Sequence, residues 1–115
     1  MTLNVYDKQG IPISMERYGE LSSERGYQRV ARTKVMDAAD PAKTYDVSTV
    51  WLGFDHSFGL SGPPVIFETM VFAEGSSADL DCERYSTETE AREGHTAMVV
   101  TLAATLATPV VMDAD

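Results

Sequence analysis

The segment Val65-Ile-Phe-Glu-Thr-Met-Val-Phe72 limits the fold more than any other, because Glu68 is its only charge. A run this short and this apolar reads as a strand, and near-continuous hydrophobicity places it centrally in a sheet. Neighbouring segments supply its companions. Residues 27–36 alternate, with Gln28, Val30, Arg32 and Lys34 on one side and Tyr27, Arg29, Ala31, Thr33 and Val35 on the other. That pattern predicts a strand with one half-buried face. Residues 45–53, Tyr-Asp-Val-Ser-Thr-Val-Trp-Leu-Gly, are rich in β-branched and aromatic side chains and predict another. Cys82 to Tyr85 supplies a short fourth strand, while residues 37–43 and 54–64 are expected loops.

Two helices are predicted. Ser14 is a suitable N-cap for a short helix from Met15 to about Ser23, with Met15, Tyr18 and Leu21 on a narrow apolar face. Thr87 followed three residues later by Glu90 is a capping-box pattern, so a long helix is expected from Glu88. Ala91, His95, Met98, Val99, Leu102 and Leu106 follow helical spacing, and Thr108 before Pro109 should stop the helix near Ala107. Such a helix would be about 30 Å long. The expected architecture is one α+β domain spanning residues 1–115. A three- to four-stranded antiparallel meander would carry the short N-terminal and long C-terminal helices packed on one face. Residues 109–115 are left as an added edge strand, an arm onto a neighbouring subunit, or a flexible tail.

The 115 residues carry nine bases and 18 acids, a formal net charge of −9, which argues against general affinity for nucleic acid or anionic lipid. The charge is uneven. Residues 1–36 hold six of the bases and four acids, with Arg25, Arg29, Arg32 and Lys34 close together; residues 74–93 hold seven acids and two bases. The basic segment either neutralises acids on the neighbouring strand or forms a stripe for an anionic ligand. A lone cysteine, Cys82, excludes an internal disulfide, and no signal peptide or membrane-spanning run is seen, so a cytoplasmic protein is expected.

Candidate functional residues are few. His56 lies beside Asp55 in a loop, where function often resides. Glu68 is the lone acid of the apolar strand and would share a face with Ile66, Met70 and Phe72. If that face packs under the long helix, Glu68 would meet Arg84, Tyr85 or His95, and a buried carboxylate needs such a partner. Each also has a purely structural reading: an ordinary strand Glu, and a helix His making one hydrogen bond at the edge of a core. Two distant histidines and one cysteine make no zinc pattern, so neither metal nor cofactor is expected. Nucleotide-binding glycine motifs and the nucleophile-elbow motif are absent from the sequence. Gly59-Leu-Ser-Gly62 offers backbone N–H groups but leads into Pro63-Pro64 rather than a helix, and Cys82 between Asp81 and Glu83 is a poor nucleophile.

The segments Val47-Ser-Thr-Val-Trp-Leu-Gly-Phe-Asp-His56, Gly62-Pro-Pro-Val-Ile-Phe-Glu-Thr-Met-Val-Phe72 and Arg84-Tyr-Ser-Thr-Glu-Thr-Glu-Ala-Arg-Glu-Gly-His95 resemble a family of small uncharacterised proteins of actinobacterial phages and prophages. The resemblance covers roughly residues 5–100. It implies phage origin and expression in the host cytoplasm, and it implies no reaction. The polar and aromatic members of its motif are Trp51, Asp55, His56, Glu68, Thr69, Arg84, Tyr85 and His95.

Two classes of function follow. One is a non-enzymatic accessory protein that inhibits a host protein, such as a defence component, or sequesters a small signal molecule. Trp51, Asp55, His56, Glu68, Arg84, Tyr85 and His95 would then be its binding residues. The other is a small acid–base enzyme using His56, Glu68 and His95, which must converge within about 12 Å to share one reacting atom. A minor virion or assembly component is a third. The short chain, the missing catalytic motifs and an acidic surface suited to a basic partner favour the first, and small size favours a homodimer.

Overall fold

The computed structural model describes residues 4–24, 26–59 and 61–114. Arg25 of the basic segment, Leu60 of the Gly/Ser turn and Asp115 of the tail lie outside them. The chain begins with a small hairpin, β1 (Val5–Tyr6) and β2 (Pro12–Ile13). Its turn is held by the Asp7 carboxylate, which accepts the N–H groups of Gln9 and Ile11. Helix α1 (Met15–Ser23) follows, and Ser14 caps it by accepting from the Arg17 N–H at 3.1 Å. The remaining elements are β3 (Arg29–Asp37), β4 (Asp40–Trp51), β5 (Phe67–Ala73), β6 (Asp79–Tyr85), α2 (Glu88–Ala103) and β7 (Pro109–Asp113).

The main sheet has five antiparallel strands in the order β6-β5-β4-β3-β7, one more than the largest meander expected, and the β1–β2 hairpin is separate. The apolar strand β5 is interior, as its composition demands, while β4 is the middle strand. The added strand is the tail: β7 pairs along β3, from Asp37 opposite Pro109 to Thr33 opposite Asp113. Residues 40–43, expected in a loop, belong to β4, which turns back from β3 with Asp37 opposite Asp40. Pro41 to Lys43 form the bulge between that pair and Met36–Thr44, and the Thr44 hydroxyl donates back to the Pro41 carbonyl.

Helix α2 starts at Glu88 with both halves of the predicted capping box in place. It ends at Ala103, four residues early, because the Asp37 carboxylate takes the N–H groups of Ala107 and Thr108 at 3.2 and 3.0 Å. Those donors turn the chain down onto the sheet edge instead of continuing the helix. Asp37 is 2% exposed. Burial works to raise its carboxyl pKa, but three backbone donors, including Ala39 N–H, outweigh it and hold the group below the usual range.

Strand alternation divides the sheet into two faces. Thr33, Val35, Val47, Thr49, Thr69 and Val71 lie under α2, and Glu68, Met70, Phe72, Arg32 and Lys34 face away from it. Among the described residues, α2 alone covers a face. Helix α1 instead packs at the sheet end, where Leu21, Tyr18 and the hairpin residues Tyr6 and Ile13 gather around Trp51, Ile66, Phe67 and Ala91. A second apolar cluster joins Val35, Val47 and Val71 to Met98, Val99 and Leu102 farther along α2. With one sheet face uncovered, the molecule is elongated, 51 × 29 × 23 Å. Its radius of gyration of 15.6 Å exceeds the roughly 13 Å of a compact chain this size.

Gly94 sets how closely α2 approaches β6. A methyl group there would collide with the Tyr85 ring, which lies against the helix backbone. Two opposing effects meet at this position. Alanine improves helix propensity by about 1 kcal/mol, while overpacking costs about 1–3 kcal/mol. Gly94→Ala is therefore expected to destabilise the native chain and to stabilise a Tyr85→Ala background. Urea unfolding of the four proteins of this cycle reads the change of sign directly.

Candidate functional site

The predicted site residues do not assemble into one site. His95 lies on the α2-covered face, 6% exposed, with Nε2 2.8 Å from the Thr33 hydroxyl and Nδ1 2.7 Å from the Thr49 hydroxyl. Thr49 in turn meets the Thr69 hydroxyl at 2.5 Å. A neutral imidazole offers one donor and one acceptor, so both ring nitrogens are satisfied inside the protein. Burial pushes the His95 pKa down; Asp113 opposes the fall and Arg92 adds to it. This polar layer separates the two apolar clusters beneath α2 and fixes the helix register on the sheet.

Glu68 belongs to the opposite face, so it cannot pair with His95. Its side chain accepts from Arg84 Nε at 2.9 Å, and Glu68 is 8% exposed. The expected face shared with Met70 and Phe72 is present, but it is the uncovered one, and Ile66 lies just before the strand in the core. Tyr85 points the other way, toward α2, where burial raises its phenol pKa and the nearby Thr69 opposes the rise. The Cys82 thiol is raised, first by burial and then by the Glu68 carboxylate, rather than by its chain neighbours Asp81 and Glu83.

His56 and Asp55 also serve separate purposes. The Asp55 carboxylate accepts from the N–H groups of Ser57 and Val65 and from the Ser57 hydroxyl, which closes the loop. Burial works to raise its pKa and these donors lower it overall. His56 Nδ1 lies 2.9 Å from the Phe54 carbonyl, and its ring packs edge-on against the exposed Phe58. Trp51 is core: its indole N–H donates to the Tyr6 carbonyl at 3.0 Å, with Tyr18 and Tyr27 rings against it. Two bases of the basic strand, Arg32 and Lys34, are paired across the sheet. Lys34 meets Glu74 at 3.1 Å. Arg32 approaches Asp46 at 3.5 Å, where charge attraction persists although Asp46 Oδ1 has no hydrogen bond.

Two grooves flank α2. One, about 340 Å³, runs between α2 and β7 and is lined by Thr33, Arg92, His95, Val100, Val111 and Asp113 among others. The other, about 430 Å³, runs between α2 and β6, with Asp81, Glu83 and Tyr85 facing Gly94, Met98 and Thr101. Among the described residues, Arg17, Arg32, Lys34, Arg84 and Arg92 each pair with an acid, whereas Asp81 and Glu83 pair with no base. Sequence reasoning missed this pair as a unit. The signal was their spacing: residues two apart on a strand share a face. It also missed the threonine layer, whose signal was Thr33, Thr49 and Thr69 at inward-facing strand positions.

Comparison with protein families, curated proteins and solved structures finds no match. Among the described residues no helix is long and apolar enough to cross a membrane, and no cluster of three His, Cys, Asp or Glu is placed to hold a metal ion.

Proposed function

We propose that this chain is a binding protein, of the phage accessory kind its sequence resembles, and that it engages a basic segment of a host protein along β6. The observation that carries this reading is the α2–β6 groove, where Asp81 and Glu83, on an edge strand, make no ion pair among the described residues. An extended segment adding beside β6 would gain main-chain hydrogen bonds, and its alternate side chains would reach the groove. Lysine or arginine at those positions meets the two carboxylates, while Met98 and Tyr85 receive the aliphatic stems. The acid–base alternative loses support from the same geometry. His95 spends both nitrogens on threonines, Glu68 faces away from it, and His56 is bonded to its own loop. Sequestration of a small molecule is less favoured, because both grooves lie open to solvent along their length.

The test is calorimetric titration with a blocked peptide alternating lysine and valine, against the native chain and an Asp81→Asn/Glu83→Gln variant. Exposed charge pairs contribute about 0.2–1 kcal/mol each. The double variant should therefore bind roughly twofold to thirtyfold more weakly, and added salt should weaken the native complex. Binding that ignores both changes would place the partner elsewhere.

A further inference from the structure

The two sheet edges differ in kind, and the difference points to a second interface that is independent of the acidic groove. Strand β6 carries Asp79, Asp81, Glu83 and Arg84 in seven residues, so an identical strand laid against it would set acid near acid. Strand β7, Pro-Val-Val-Met-Asp, has no charge before Asp113. Val111 and Met112 are 50% and 44% exposed, and Val100 on the adjacent flank of α2 is 62% exposed. Natural sheet edges are normally blunted by charge, bulges or cover. Among the described residues β7 has no charge, bulge or cover along Val110 to Met112, and its one proline stands at the first position.

Register decides which backbone groups are free. The Ala114 N–H donates to Arg32, and the Thr108 carbonyl accepts from Ala38, so even-numbered residues of this segment bond to β3. In an antiparallel ladder alternate residues turn outward. The open edge therefore presents the N–H and C=O of Val111 and Asp113 and the carbonyl of Pro109. The missing proline N–H falls on the open side, where it costs β3 nothing.

We infer that β7 pairs antiparallel with β7 of a second copy, about a two-fold axis at Val111, joining two sheets into one of ten strands. The pattern is self-complementary. The two Val111 residues exchange both main-chain bonds, and each Asp113 N–H meets the Pro109 carbonyl of the other copy. Asp113 thus faces proline rather than another carboxylate. On the helix side Val111 and Val100 of the two copies meet; on the other side Met112 lies beside Val110. Two chains of net charge −9 approach through strands whose charge is confined to Asp113, set at opposite ends of the seam. The acidic α2–β6 grooves are left at opposite ends of the pair.

Sedimentation velocity of the full chain, from micromolar to near-millimolar concentration, tests this. The native chain should approach twice 12.6 kDa. Association should strengthen with added salt, which screens like charge, the opposite of the basic-peptide complex. Val111→Lys should weaken association roughly tenfold or more with an unchanged circular dichroism spectrum. Val111→Pro should do the same, since it removes only an outward N–H; should that variant fail to fold, the lysine variant decides. Glu83→Lys on the other edge should leave association intact. A native chain that stays monomeric throughout overturns the inference. So does a dimer that survives Val111→Lys or is lost in Glu83→Lys.

Discussion

Trp51→Ala is expected to remove about 3–5 kcal/mol of stability, a large share of the roughly 5–15 kcal/mol available to a domain. Trp51 is 2% exposed and joins elements that are distant in sequence. Its ring touches Tyr18 of α1 and Tyr27 before β3, and its N–H reaches the Tyr6 carbonyl in the β1–β2 hairpin. Gly53, two residues on, has φ +83, and a Cβ there would lie 2.6 Å from Tyr18 and 2.9 Å from Trp51, so the cage does not re-form around a different shape. Truncation should therefore release the hairpin and α1 together. Trp51→Phe keeps much of the aromatic packing and loses the bond to Tyr6, a change of about 1–2 kcal/mol. Urea unfolding with Tyr and Trp fluorescence checks the order. Equal costs for the two substitutions would contradict the role given to the cage.

His95→Ala should cost about 2–4 kcal/mol, because it opens a cavity and strands the Thr33 and Thr49 hydroxyls without their partner. Replacing the whole layer is a different experiment. His95→Leu combined with Thr33→Val, Thr49→Val and Thr69→Val removes donors and acceptors together, and should fall within about 1 kcal/mol of the native chain. The two variants also separate in pH dependence. Burial holds the folded His95 pKa below the 6.5 of the free side chain. As pH falls below about 6.5 the unfolded chain takes up a proton that the folded chain refuses. Stability should thus decline with acidification in the window between 6.5 and the lower folded pKa. Thermal unfolding between pH 7.5 and about 5 should show that slope in the native chain and lose it in the apolar quadruple variant. A slope that persists unchanged would assign the pH dependence to another group.

Local signals in the sequence were enough to find α1, the start of α2 and the interior strands, because capping and apolar periodicity act within a few residues. Ser14, Thr87 and Glu90 are examples: each satisfies a helix donor three residues away or less. What stayed hidden depends on contacts across the chain. The early end of α2 and the fifth strand both follow from Asp37 reaching Ala107 and Thr108, about seventy residues away. The site residues divided the same way. Strand alternation places Glu68 with Met70 and Phe72, but which face α2 covers is a tertiary choice, and it parted Glu68 from His95. His95, singled out as a polar group on an apolar helix stripe, and Asp55, singled out by its loop, both spend their polarity on the protein itself.

The acidic β6 edge is the proposed binding surface. Titrating the ¹⁵N-labelled native chain with the lysine–valine peptide and following amide chemical shifts tests it residue by residue. Changes should concentrate in Asp79 to Tyr85 and in the Gly94, Met98 and Thr101 flank of α2, and fade as salt is raised. Changes centred instead on the Arg32, Met70 and Phe72 face, or none at any salt concentration, would contradict that assignment.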